Sequence, residues 1–226
     1  MASIVFDQFY ADYDSWYTTK TGQFVDQVET EALFSLLMPE EGQRILDVGC
    51  GTGNFSLKLA EKGCAVIGVD IAEKMLEQAM EKPLPTKGSV EFHKMEGAHL
   101  AFPDGSMDAA ISMAAFEFIS DIQGVFDEMA RVVKPGGRIV LGTIQKGGDW
   151  AALYESDLFA SFAYSYATFK SQEDLKNLAP QWVEGIRECL FLAPGLEEKD
   201  YTFEGETAAK ATGKTGGFVC VAFKKA

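Results

Sequence analysis

Ile45-Leu46-Asp47-Val48-Gly49-Cys50-Gly51-Thr52-Gly53-Asn54 carries a short apolar run into three closely spaced glycines and out into a helical pattern. A buried strand thus feeds a tight turn that opens a helix. Glycine suits such a turn because it accepts backbone angles other residues resist, and because a ligand must come close to the main chain there. The helix start adds free N–H groups and partial positive charge, which favour an anionic or oxygen-rich ligand. Two features separate this turn from a dinucleotide-binding one. Its spacing is G-x-G-x-G, with Asn54 where a third glycine would stand. Asp47 also sits at the strand end, where a carboxylate repels a pyrophosphate but can pair with a ligand ammonium group. The next strand ends in Asp70, 19 residues after Gly51. An acid at that location reaches ribose hydroxyls in nucleoside-binding α/β folds.

Outward from the turn, short apolar runs alternate with helical spacing. Residues 44–49, 65–70, 90–94, 108–113 and 138–144 read as strands, largely apolar as buried parallel strands are. Ile122, Val125, Phe126, Met129, Ala130 and Val133 follow the i, i+3, i+4, i+7, i+8 and i+11 spacing of a helix, which Lys134-Pro135-Gly136-Gly137 stops. Further helices are predicted from Asn54 to Gly63 and over 72–82, the latter closed by Pro83 and Pro85. Strand and helix in repeated alternation make an α/β fold, a doubly wound and mostly parallel sheet with helices on both faces.

The flanks read differently. Phe24, Val28, Leu33, Leu36 and Leu37 give an amphipathic helix over 23–38 that Pro39 ends. The 149–169 stretch is aromatic, with Trp150, Tyr154, Phe159, Phe162, Tyr164, Tyr166 and Phe169. It can serve as core packing or as the wall of a pocket, and both readings stand at this point. A short helix is predicted from Ser171, with Asp174 in its first turn. The segment 216–225 reads as a last strand, with 187–193 as its neighbour.

Composition narrows the function classes. The 226 residues are 47% hydrophobic and 24% charged, the mixture of a globular protein with a full core. Twenty Lys and Arg against 34 Asp and Glu leave a formal charge of −14, which argues against nucleic acid and anionic membrane partners. Four cysteines without close pairs point to a reducing, cytoplasmic setting, and the two histidines, His93 and His99, lack a partner at zinc-ligand spacing. No signal-like N-terminus or membrane-length apolar run is read.

At these residues the chain resembles the class I S-adenosylmethionine-dependent methyltransferases. ILDVGCGTGNFS (45–56) is similar to the family's first motif, which implies that Asp47, Gly49, Cys50 and Gly51 surround the methionine part of the cofactor, with Asn54 also in the cofactor-contacting set. GVDIA (68–72) is similar to the second strand end, implying that Asp70 binds both ribose hydroxyls and Ile71 packs on adenine. MEGAHLAFPDGSMDAAIS (95–112) resembles the adenine-edge segment, where Glu96 replaces the usual Asp and Gly97 offers its N–H; His99, Ala101 and Met107 depart from the common residues. EMARVVKPGGRIV (128–140) resembles the helix-to-strand corner. Met113 and Tyr17 complete the cofactor-contacting set that the resemblance implies. Tyr13, Trp16, Tyr17 and Gly22 look like a lead-in that lids the site in some small-molecule members.

The resemblance also implies a seven-stranded sheet with an antiparallel last strand, in one domain over 1–226. Its parts are a helical lid over 1–40, a cofactor-binding core over 42–144, a helical insertion over the acceptor at 145–185, and final strands over 186–226. Met113-Ala114-Ala115-Phe116-Glu117 stands where methylases of nucleic-acid amino groups carry Asn/Asp-Pro-Pro-Tyr, so a small-molecule acceptor is expected. Glu117 lies near the expected acceptor position, though a charge at a loop or helix end also explains it. Transfer needs an in-line acceptor more than a base, and no base is assigned. Two rivals are an NAD(P)-dependent oxidoreductase, opposed by Asp47 and the missing third glycine, and a module that binds S-adenosylmethionine without chemistry.

Overall fold

The computed structural model describes residues 6–8, 10, 13–159 and 163–226; Phe162 of the aromatic stretch lies outside them. Helix α1 (Lys20–Leu37) opens at Thr19, whose hydroxyl accepts from the Gly22 amide (2.9 Å), and closes at Met38 in the left-handed conformation. It begins three residues before the predicted start, because the capping threonine and not the first apolar residue sets the boundary. β1 (Arg44–Val48), α2 (Asn54–Glu61), β2 (Ala65–Asp70), α3 (Glu73–Glu81), β3 (Ser89–Lys94) and β4 (Met107–Met113) then alternate as the sequence pattern requires. α4 (Ile122–Val132) leads into β5 (Val133–Ile144), and α5 (Asp149–Tyr154) follows. α6 (Gln172–Lys176) starts at the Ser171–Asp174 capping box. β6 (Val183–Cys189), α7 (Phe203–Lys210) and β7 (Phe218–Lys224) complete the order.

The strands form a seven-stranded sheet in the order β3-β2-β1-β4-β5-β7-β6, parallel except for β7, which runs antiparallel to both neighbours. This is the sheet the resemblance implied. The order reverses beside β1, with β2 on one side and β4 on the other. In open α/β sheets that switch point opens a crevice at the carboxyl ends of the strands. The glycine turn leaves β1 there.

β5 and β6 differ from the predicted strands for tertiary reasons, and the helix α7 was not predicted. β5 starts at Val133 because that residue already pairs with Met107, and residues 134–137 bulge before pairing resumes at Ala109–Arg138. β6 occupies 183–189 rather than 187–193. Leu190 takes φ +58, and the amides of Phe191 and Leu192 then turn to the Glu206 carboxylate (both 3.0 Å). That carboxylate belongs to α7, a helix without a strong apolar stripe that Thr202 caps through Gly205 N–H.

The core lies in two layers, one on each face of the sheet. Leu33 and Leu37 of α1 join Ile45, Ile111, Val140 and Phe218 on one face. Phe126 and Met129 of α4 join Leu46, Ile139, Val221 and Phe223 on the other. β7 feeds both layers by alternation, which explains why its entire apolar run is buried. Leu33 is wholly buried on the helix that covers β5, β6 and β7. Leu33→Ala is therefore expected to cost about 2–5 kcal/mol, seen as a lower urea midpoint with an unchanged slope.

Candidate functional site

The turn after β1 is stitched to the end of β2 by main-chain bonds. Gly49 and Cys50 both donate N–H to the Val69 carbonyl (2.8 and 3.1 Å). Gly51 then donates to Asp70 Oδ2 (2.8 Å), while Asp70 Oδ1 accepts from Ala72 N–H (2.8 Å). Gly49 has φ +72, and a Cβ there would lie 2.5 Å from the Ala115 side chain beyond β4. The turn therefore requires glycine for its backbone angle and for close approach to the neighbouring loop. Gly97 lies as tightly: a Cβ on it would meet the Val48 side chain at 2.8 Å.

Asp47 is 2% exposed and accepts from the Ser56 hydroxyl of α2 (2.6 Å). Burial pushes its carboxyl up to about 7, against the lowering effect of Ser56. Burial also raises the Asp70 carboxyl, opposed by its amide donors. Cys50 is half-buried, and burial beside Asp47 and Asp70 holds its thiol well above the usual range, so it is a neutral turn residue and no nucleophile. No side chain of the N-cap residue Gly53 caps α2, which leaves the helix start open to a ligand. Two strand-end carboxylates, an uncapped helix start and glycines without side chains fit a ligand with hydroxyls and positive charge.

The remaining predicted residues divide into several groups. Ile71 is half-buried beside Asp70. Glu96 is exposed and faces His99 (3.3 Å), at the segment that Met95 N–H ties to the Asp70 carbonyl (2.9 Å). The Met113 side chain is core, with its sulfur packed over Gly142. Asn54 is engaged away from the turn: its amide oxygen accepts from Lys82 (2.6 Å), and its amide nitrogen donates to Asp14 (3.3 Å). Tyr17 lies beside Tyr13, with ring centroids 6.0 Å apart, and it is Tyr13 that feels the Asp70 charge.

Asp14 and Glu29 were not singled out from sequence, whereas Glu117 and the aromatic stretch were. Asp14 of the lead-in accepts from Thr52 (2.8 Å) and pairs with Lys82 (2.8 Å), latching the lead-in onto the glycine turn. Glu29 of α1 is 9% exposed, and burial, then Asp26, push its carboxyl to about 8. Its signal was present: Val25, Glu29 and Leu33 stand at i, i+4 and i+8, so the acid occupies the apolar stripe. Glu117 is 1% exposed; Oε1 accepts from Ile144 N–H (2.6 Å), and burial raises its carboxyl. The aromatic stretch does pack: Tyr154 stacks on Tyr164 (4.0 Å) and contacts Phe169 (6.3 Å).

A family model described as a methyltransferase domain matches residues 46–141. A demethylmenaquinone methyltransferase of Clavibacter sepedonicus is 36% identical over 140 residues, 62% of this chain and 56% of that protein. A ubiquinone biosynthesis O-methyltransferase of Dechloromonas aromatica is 31% identical over 158 residues, 64% of this chain and 68% of that protein. The chain spans about half the length of several of the curated relatives it matches. A Thermotoga maritima crystal structure, described as an S-adenosylmethionine-dependent methyltransferase and possible histamine N-methyltransferase, has the same fold. Its TM-score is 0.75 at 24% identity, over 98% of this chain and 99% of that one. Among the described residues, no helix is long and apolar enough to cross a membrane.

The Asp47 shift has a testable sign. The carboxyl rises from 3.8 to about 7 on folding, so the folded state holds the proton more tightly. The penalty for ionising it is absent below about pH 4 and fully present above about pH 7. In ligand-free protein, Asp47→Asn is expected to raise Tm at about pH 8, by at most about 4 kcal/mol of stability. The gain disappears as the pH approaches 4, which paired thermal scans across that range would show.

Proposed function

The chain belongs to the class I S-adenosylmethionine-dependent methyltransferases, and we propose that it transfers a methyl group from that cofactor to a small-molecule acceptor. The observation that carries this is the Asp70 carboxylate. Each of its oxygens already accepts one amide N–H, from Gly51 and from Ala72, and each retains a second lone pair. Anchored in that way at the end of β2, the two oxygens suit the adjacent hydroxyls of a ribose. Asp47 supplies negative charge for an ammonium group, the glycine turn and α2 start take the methionine end, Ile71 packs on the adenine, and Glu96 and Gly97 meet its edge.

When bound, the cofactor supplies an electrophilic methyl group on a sulfonium sulfur. What the chain must add is position, which contributes about 7–11 kcal/mol in well-oriented reactions. The Asp14 latch holds the lead-in over the turn, and Tyr13 and Tyr17 beneath it exclude water. The acceptor lies between this lead-in and the 145–185 insertion, whose Trp150 meets Trp16 at 6.5 Å. The two curated relatives described above are named for quinone-pathway steps, which supports a small organic acceptor. The family model ends before Tyr154 and begins after Glu29, so the acceptor side lies largely outside the shared part. Four unpaired cysteines support a cytoplasmic setting.

Calorimetric titration with S-adenosylhomocysteine tests the cofactor site. At about a hundred times its Kd the ligand is expected to add about 2.7 kcal/mol, a rise of roughly 5–11 °C in Tm. Asp70→Asn is expected to weaken binding by about tenfold or more. A folded wild-type sample without binding would overturn the proposal.

A further inference from the structure

Glu117 presents a buried charge-bearing atom that the fold does not satisfy. Its Oε1 takes the Ile144 amide, but its Oε2 is buried without a hydrogen-bond partner among the described residues. A buried polar atom in that condition is costly unless something else meets it. Glu29, on a different element, faces the same region: its charge acts on Glu117 and on the rings of Tyr13, Tyr17, Tyr154 and Tyr164. Neither glutamate forms an ion pair among the described residues. Lys58, whose charge acts on Glu29, is committed to Asp26 and Thr30, and Lys170 is the last of the influences on Glu117.

Four tyrosines lie close enough to these acids to feel the Glu29 charge. Tyr13 and Tyr17 come from the lead-in, with centroids 6.0 Å apart. Tyr154 and Tyr164 come from the insertion and stack at 4.0 Å. Phe118, next to Glu117, meets Phe6 of the lead-in edge-on (4.7 Å) and Tyr164 of the insertion (6.0 Å). The group lies beside the glycine turn, because Ala115 abuts Gly49 and Tyr13 feels Asp70. Aromatic faces around buried, unpaired carboxylates attract an organic cation and repel an anion.

We propose that the methyl acceptor is an amine, which enters as an ammonium ion and is seated between the Glu117 and Glu29 carboxylates among Tyr13, Tyr17, Tyr154 and Tyr164. This rests on the methyltransferase reading and names the class of its second substrate. The ammonium gives its proton to Glu117 Oε2, leaving a neutral amine and a carboxylic acid. The nitrogen lone pair then forms the N–C bond to the cofactor methyl. The S–C bond breaks with its electron pair on sulfur, so the sulfonium becomes a thioether and the product is a methylated ammonium. Glu117 then releases its proton to water. A phenol acceptor would instead develop a phenolate against Glu29, where like charges in a dry site oppose it.

The test uses the purified wild-type chain and calorimetry. S-adenosylhomocysteine is titrated first, and then, at saturation, benzyltrimethylammonium, benzyl alcohol and phenol are titrated separately. The ammonium is expected to bind at least about tenfold more tightly than either neutral probe. Glu117→Gln keeps an oxygen for the Ile144 amide and is expected to abolish that preference, with S-adenosylhomocysteine affinity within about twofold of wild type. Glu29→Gln is the second variant, expected to reduce the preference without removing it. Equal or weaker binding of the ammonium, or a preference unchanged in both variants, would overturn the amine assignment alone. Failure of S-adenosylhomocysteine to bind would instead overturn the methyltransferase reading, and the amine assignment with it.

Discussion

The bond from Gly51 N–H to the Asp70 carboxylate joins the two strand ends on which the cofactor side depends. It forms only because β1 and β2 run parallel in a register that sets Val48 against Val69, so that the turn and the acid arrive at the same level. The Val69 carbonyl takes the two preceding turn amides, and the Asp70 carbonyl takes Met95 N–H. One strand end thus orders the glycine turn, the start of α3 and the adenine-edge segment. A slip of one residue in that register would turn Asp70 to the other face and dissolve all three.

Against this ordering stands a concentration of buried negative charge. Asp47, Asp70, Glu29 and Glu117 are all raised from their ordinary values, and burial is the leading cause at each. Desolvated acids without facing cations weaken the ligand-free fold. Such strain tends to collect where a ligand of opposite charge will relieve it. The same acids that lower stability therefore raise affinity for a cationic ligand, a trade between stability and function common to active sites.

The two sides of the site are built in different ways. The cofactor side is local: strand, turn and helix within residues 44–61, plus the end of β2. The proposed acceptor side draws on distant parts of the chain, the lead-in and the 145–185 insertion, which meet at Trp16 and Trp150. Asp14, Thr52 and Lys82 connect the two, since the lead-in is latched to the glycine turn itself. In the proposed reading, access to the acceptor and enclosure of the cofactor are coupled through this cluster of polar contacts.

The amino-acid sequence alone determined the sheet, the turn and its two acids, because each is written in short-range signals. Glycine spacing, apolar period and strand-end carboxylates need no partner to be read. Helix starts and strand ends were legible only to within a few residues, as α1 and β6 show: a capping hydroxyl at Thr19 and a left-handed Leu190 set the boundaries, not hydrophobicity. Tertiary structure alone decided which acids are buried. Glu29 is an interruption in an apolar stripe and Glu117 a charge after a strand until α1, the lead-in and the insertion remove water from both. It also decided that Asn54 serves the latch and that Met113 serves the core. Desolvation and pairing depend on what lies across space, and for residues 13, 29, 117, 154 and 164 those neighbours are far away along the chain.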